Sequence, residues 1–310
     1  MRHAAQKNML RRIRLSEHSS QHALQATPSN IGRLPAKAAV VYDFDGTLSP
    51  GSMQQHSYIP ELGYADAGDF WREVKAECRD RDGDEILTYM QFMLTRSEQS
   101  VTREILQEHG SRLPLFQGVQ SWFSRMNDYA SARGLDLEHY IISSGIKEMI
   151  ESCAIHQEFK NIFASRFAYD SNGVAVWPAV SINYTSKTQF LFRINKGIQN
   201  TWDNEAINRW IPKDERPMPF ERMIFIGDGD TDIPAMKMVR QHGGAAIAVF
   251  NPDEWQVAAS QDKIHRLIAE DRANYVAPAD YSEGSQLDVT VRGILGRIAR
   301  DRGYRPTENK

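Results

Sequence analysis

Two aspartates, Asp43 and Asp45, stand two residues apart at the end of the apolar run Val40-Val41-Tyr42. Residues i and i+2 of a strand share a face, so where a strand gives out both carboxylates can turn the same way. One can serve as nucleophile or metal ligand and the other as proton donor. Gly46 permits a sharp turn behind them, and the Thr47 hydroxyl can bond the turn backbone. Alone, the pair is weakly specific. The same spacing holds a metal-bound sugar nucleotide in glycosyltransferases, and it also occurs as a capped turn after a core strand.

A second acidic turn follows the apolar run Met223-Ile224-Phe225-Ile226-Gly227 and carries Asp228, Asp230 and Asp232. Carboxylates crowded at strand ends repel one another. A hard divalent cation relieves that repulsion, and carboxylate oxygens suit Mg²⁺. The alternate spacing also fits the start of an EF-hand loop. That reading fails because Ile233 stands where the loop needs Gly and Val239 where it needs a bidentate Glu. Asp230 reads equally as part of this site or as a solvated turn residue.

Two smaller signals lie between the acidic turns. His139-Tyr140-Ile141-Ile142-Ser143-Ser144-Gly145 is a strand pattern ending in hydroxyls and a Gly. A hydroxyl together with backbone N–H groups at the start of a following helix makes an anion site, though Ser there is also a common helix cap. Thr185-Ser186-Lys187-Thr188 opens a helix with a Lys, a point charge suited to a phosphate oxygen and equally at home on a solvated surface.

These residues need a scaffold. The apolar runs ending at Tyr42, Ile142, Ile226 and Phe250 alternate with helical patterns, without a repeat period. The pattern predicts an α/β fold with a doubly wound parallel sheet. In such sheets ligands bind beyond the carboxyl ends of the strands. Residues 50–114 read as mainly helical. Ile86, Leu87, Met90, Met93 and Leu94 mark one apolar face, Asp84 is its N-cap, and Trp71 and Val74 belong to another helix. Gln117 to Ala132 reads as a further helix. Ile162-Phe163 and Val174-Ala175-Val176-Trp177 flank the turn sequence Asp170-Ser171-Asn172-Gly173 and predict a hairpin. Asn274-Tyr275-Val276 reads as a short edge strand, and Leu287, Val291, Ile294, Leu295 and Ile298 as a final amphipathic helix.

Taken together and in this order, the four segments resemble the haloacid dehalogenase superfamily, in its phosphoserine-phosphatase-like branch. Asp43-Phe44-Asp45-Gly46-Thr47 matches the first motif, Ser143 the second, Lys187 the third, and Gly227-Asp228-Gly229-Asp230-Thr231-Asp232 the fourth. The resemblance runs over roughly residues 38–300. It implies an aspartyl-phosphate on Asp43, with Asp45 as general acid and then general base. It implies Mg²⁺ held by Asp43, the backbone carbonyl of Asp45, Asp228 and, directly or one step removed, Asp232. Ser143 and Lys187, with backbone N–H groups near Ser144 and Gly145, would bind the phosphoryl group. Family members that cleave carbon–halogen or carbon–phosphorus bonds lack an acid at the position of Asp45. The expected activity is therefore hydrolysis of a small phosphorylated metabolite, with phosphotransfer, a phosphomutase or a silent phosphate binder as alternatives. The resemblance also implies a helical cap at 50–114, inserted into a core formed by 37–49 and 115–310. Arg72, Arg79, Arg81 and Tyr89 of that cap could meet the substrate or simply face solvent.

Composition is that of an ordinary globular chain: 310 residues, 41% apolar, 25% charged. A net charge of −3 does not point to nucleic acid or membrane, and no apolar run reaches the roughly 18 residues of a membrane span. Cys78 and Cys153 lack the number and spacing for zinc and read as thiols of a reducing, cytoplasmic compartment. Residues 1–36 are polar and basic, with Arg2, Lys7, Arg11, Arg12, Arg14 and Arg33 against Glu17. They read as a flexible tail, a docked short helix, or an organelle transit peptide. Oligomeric state is left open.

Overall fold

A computed structural model describes residues 35–229 and 231–304. The readings of the N-terminal tail and of Asp230 fall outside the described residues, apart from Pro35 and Ala36.

Seven strands form one sheet: β1 (Ala36–Tyr42), β2 (Leu135–Ile146), β3 (Asn161–Tyr169), β4 (Ala175–Val180), β5 (Met223–Gly227), β6 (Ala245–Phe250) and β7 (Tyr275–Pro278). Their order is β4-β3-β2-β1-β5-β6-β7. Every pairing is parallel except β3 with β4. The chain builds outward from β1 in one direction through β2 and β3, then returns to its other side with β5. That reversal makes the carboxyl ends of β1 and β5 the switch point where α/β sheets open a crevice.

The longer helices are α1 (Ala67–Arg81), α2 (Glu85–Arg96), α3 (Arg103–Ser111), α4 (Val119–Ser131), α5 (Lys187–Lys196), α6 (Ile233–Gln241), α7 (Ala258–Ala269) and α8 (Gln286–Asp301). Both sheet faces are covered, which is why β1, β5 and β6 are almost continuously apolar. Val40, Tyr42, Ile224 and Ile226 join one core with Trp122 of α4, Leu295 of α8 and residues of α1 and α2. Ala39, Val41, Met223 and Phe225 join the other with α5, α6 and α7. Among the described residues no helix is long and apolar enough to cross a membrane.

The predicted hairpin is present, but its first arm has a second task. β3 pairs with β2 as a parallel strand of the main sheet, and β4 is the antiparallel edge. The predicted helical face also shifts. Leu87 is 42% exposed, whereas Tyr89 and Phe92 are buried beside Ile86, Met90 and Met93. The aromatic rings set the buried arc, because Phe92 meets Phe70 at 6.1 Å and Tyr89 meets Trp71 at 5.5 Å, both edge-to-face across to α1. Asp84 caps α2 by accepting from the Leu87 N–H, and its other oxygen accepts from Asn183 at 2.8 Å. The same carboxylate therefore starts a helix and ties it to the loop before Lys187.

Behind the nucleophile strand lies a buried polar chain. Trp122 Nε1 donates to Tyr42 Oη (2.8 Å), which pairs with His139 Nδ1 (3.0 Å), and His139 Nε2 pairs with Asn127 Oδ1 (3.0 Å); since Oδ1 only accepts, Nε2 carries the proton and Tyr42 Oη donates to Nδ1. This direction requires a neutral imidazole. Burial enforces it, lowering the His139 pKa to about 3. An unfolded His titrates near 6.5. Between these values the unfolded chain binds a proton that the folded chain does not. The stabilisation is complete above about pH 6.5 and is lost as the pH falls towards 3. Urea unfolding between about pH 6 and 4 should therefore show a steeper loss for the wild type than for His139→Gln, by up to about 1.4 kcal/mol per pH unit. Equal slopes would remove His139 as the buried group responsible.

Candidate active site

Asp43 follows the last residue of β1, and its N–H donates to the Ile226 carbonyl of β5 at 2.9 Å. Asp228 follows the last residue of β5, and Ser143 lies in β2. Residues 43, 143 and 228 thus meet at the carboxyl ends of three adjacent strands. Lys187 opens α5, and Asp232 is the N-cap residue of α6.

The turn after β1 is closed by the backbone. Gly46 N–H donates to Gly51 O at 2.9 Å, and Leu48 and Ser49 N–H both donate to Phe44 O. The Thr47 hydroxyl was expected to bond this turn. It is buried without a hydrogen-bond partner among the described residues, while the Thr47 carbonyl accepts from Tyr281 Oη at 2.9 Å. Gly46 has φ +69°, and a Cβ there would lie 2.7 Å from an Asp228 carboxylate oxygen. A Cβ on Gly227 would lie 2.3 Å from Asp232. Both glycines are thus needed for the close approach of the acids, and Gly46 for its turn as well.

Lys187 is fully buried. Its Nζ lies 2.9 Å from Asp43 Oδ2 and 2.7 Å from Asp232 Oδ1, with Thr231 Oγ1 at 3.3 Å. Burial alone would lower its pKa, but Asp232 and then Asp43 outweigh that and raise it, so the ammonium stays charged. Asp43 is raised by burial, which Lys187 opposes and Asp228 reinforces. Asp232 is pushed to about 6, again by burial first and then by Asp43. Asp45 is raised well above the usual carboxylate range by burial and by neighbouring Asp43, and its Oδ1 accepts from Met53 N–H at 2.8 Å. A carboxyl that holds its proton more tightly than usual, beside a carboxylate paired to a lysine, suits the division into acid and nucleophile.

Carboxylate oxygens of Asp43, Asp228 and Asp232 come within 4.8 Å of one another. These are three of the four acids expected at a metal. The Asp45 side chain instead faces the cleft and the turn at Met53. Asp43 and Asp232 pair with Lys187, and Asp228 pairs with Lys263 at 3.0 Å. The three acids form a purely oxygen donor set, which fits a hard divalent cation.

The proposed phosphoryl contacts are arranged differently from the simple picture of a helix N-terminus. β2 continues through Ile146, and the helix after it is a single turn, Lys147–Ile150. Gly145 N–H donates to Ser143 Oγ at 2.9 Å, while the Ser144 carbonyl accepts from Tyr89 Oη at 2.6 Å. Ser143, Ser144 and Gly145 nevertheless line the same cavity of about 270 Å³ as Asp43, Asp45 and Asp228. Of the four helical residues that could have met a substrate, Tyr89 lines this cavity. Arg72, Arg79 and Arg81 are exposed, with Arg72 paired to Asp69 and Arg81 to Glu77. Sequence reasoning missed Lys263 of α7, which carries no local signal, and Gln54, Glu85 and Tyr184, which reach the cavity only through helix and loop placement.

The fold is thus a Rossmann-like α/β sheet that sets an aspartate at its switch point, where such sheets bind ligands, facing a lysine and further acids. Residues 40–237 match the family model for haloacid dehalogenase-like hydrolases, and the chain belongs to that family. A Borreliella burgdorferi protein described only as uncharacterized is 26% identical over 279 residues, covering 80% of this chain and 93% of its own. A HAD family hydrolase of Salmonella enterica serovar Typhi shares the fold with a TM-score of 0.53 at 15% identity, covering 84% of this chain and 72% of that one. A probable phosphoserine phosphatase from Vibrio cholerae matches with a TM-score of 0.53 at 13% identity, covering 88% and 68%.

Proposed function

We propose that the protein is a Mg²⁺-dependent phosphatase that hydrolyses a small phosphomonoester through an aspartyl-phosphate on Asp43. The observation that carries this reading is the Asp43 carboxylate, paired to Lys187 at 2.9 Å and facing a cavity shared with Asp45, Ser143 and Asp228. An Asp43 oxygen attacks phosphorus, the ester P–O bond breaks, and Asp45 gives its proton to the departing alkoxide. Asp45, now ionised, takes a proton from water as that water attacks the same phosphorus. The bond to Asp43 breaks and inorganic phosphate leaves. Lys187 and Ser143 hold the phosphoryl oxygens, where a nearby positive charge offsets the repulsion between two anions. Mg²⁺ held by Asp43, Asp228 and Asp232 would supply further charge neutralisation. The helices between β1 and α4 act as a cap over the cavity, limiting entry to small substrates. The free thiols Cys78 and Cys153 fit a reducing, cytoplasmic setting.

The test is phosphate release from a panel of phosphorylated metabolites and one aryl phosphate, in Mg²⁺ and in EDTA. Release should require the metal. Asp228→Ala should raise the Mg²⁺ concentration for half activation at least about tenfold, since even groups that merely support a ligand shift metal affinity by that much. An unchanged metal titration would put the ion elsewhere. Phosphate that stays on the protein until a second alcohol is added would replace hydrolysis by phosphotransfer.

A further inference from the structure

The cavity wall facing the reacting carboxylates is unusual in its chemistry. Trp71 of α1, Glu85, Ile86 and Tyr89 of α2, Gln54 and Tyr184 form it. Glu85 is fixed there, its Oε2 accepting from Tyr184 Oη at 2.9 Å. Trp71 and Tyr89 meet edge-to-face at 5.5 Å, so they present ring surface at different angles to the same space. Gln54 is 1% exposed, and its buried Oε1 has no partner among the described residues. None of the described residues lining the cavity is a Lys, Arg or His. The wall thus offers a carboxylate, an unused acceptor and aromatic faces, and no cation.

Each of these features favours a positive group. Aromatic faces attract ammonium ions, more strongly when water is excluded. A carboxylate and an amide oxygen accept N–H donors, and a second anion on the substrate would meet Glu85 with no Lys, Arg or His among the described lining residues to offset it. The size of the cavity adds a limit. About 270 Å³ lies just below the roughly 300–1,000 Å³ of pockets for drug-sized ligands. Part of that space goes to the phosphoryl group.

We propose that the substrate is the phosphomonoester of a small amino alcohol, its ammonium group held by Glu85, Gln54 and the rings of Trp71 and Tyr89. This rests on the phosphatase reading above and adds the leaving group. Glu85 and Gln54 accept hydrogen bonds, so a primary ammonium with N–H donors is preferred to a quaternary one.

The experiment compares kcat/KM for O-phosphoethanolamine, phosphocholine, propyl phosphate, O-phosphoserine and 4-nitrophenyl phosphate in Mg²⁺, using the full chain and Glu85→Gln. O-phosphoethanolamine should exceed propyl phosphate at least tenfold and phosphocholine by less. O-phosphoserine, whose carboxylate meets no cation on this wall, should fall below O-phosphoethanolamine. Glu85→Gln should collapse the ammonium-to-neutral ratio towards one, mainly through KM. A wild-type preference for propyl phosphate or O-phosphoserine, or a ratio untouched by Glu85→Gln, would overturn the inference. Absence of turnover of every ester, 4-nitrophenyl phosphate included, would be a failure of the phosphatase reading instead. Calorimetric titration with O-phosphoethanolamine and propyl phosphate then decides the inference separately. Tighter binding of the ammonium ester, lost in Glu85→Gln, supports it, and equal or weaker binding overturns it.

Discussion

Asp43→Asn is expected to lower turnover by about 10⁴-fold or more while leaving the fold intact. The amide has almost the shape of the carboxylate but cannot form an acyl phosphate. The backbone tie from residue 43 to Ile226 does not involve the side chain. Lys187 keeps its second partner, Asp232, at 2.7 Å. Burial and Asp228 both oppose the Asp43 charge in the folded protein. Its removal should therefore not lower the thermal midpoint in metal-free buffer. Turnover close to that of the wild type would end the covalent mechanism. A collapse of the fold would show that the Asp43–Lys187 pair is required for structure.

Lys187→Met should have the largest effect on stability. It leaves Asp43 and Asp232, both at least 95% buried, without the ammonium that now sits between them. Breaking a buried ion pair by removing one partner typically costs about 3–5 kcal/mol. In a domain of this size that is roughly a 10 °C fall in the thermal midpoint. Urea unfolding in EDTA, where no metal takes the place of the lysine, should show it. Adding Asp232→Asn to Lys187→Met removes one of the two stranded charges and should restore at least about 1 kcal/mol, a non-additivity expected of groups in direct contact. Additive losses would mean that the lysine stabilises through packing alone. Activity should be lost in either variant.

The residues with the strongest local signature were the easiest to place from sequence. Asp43, Asp228 and Asp232 each follow or close an apolar strand run, and a strand that must be buried on both faces leaves few places for its end. Ser143 and Lys187 had weak signals of their own, but their order along the chain located them. Reading failed where position depends on how helices rotate. Leu87 fits the apolar period of α2, yet the rings of Tyr89 and Phe92 turn that face away from it. The Thr47 hydroxyl was assigned to a turn whose bonds are made by backbone groups. Lys263 lies 35 residues beyond Asp228, in a helix pattern with no chemical signature. Glu85 looks like an ordinary first-turn acid, and only the placement of α2 over the strand ends brings it to the cavity.

The central place of β1 bears on how the chain acquires its fold. Its register partners begin at Leu135 on one side and at Met223 on the other. During synthesis the run Ala38–Tyr42 therefore emerges long before either neighbour exists. It is one of the most apolar segments of the chain, and an unpaired strand of this kind is prone to pair with other chains. The helices made next, from Ala67 to Ser111, share a core with Val40 and Tyr42. They can shelter one face of the strand while the rest of the sheet is still being made. The same segment that lines the cavity in the finished protein would then serve earlier as an intramolecular chaperone for the strand that carries Asp43.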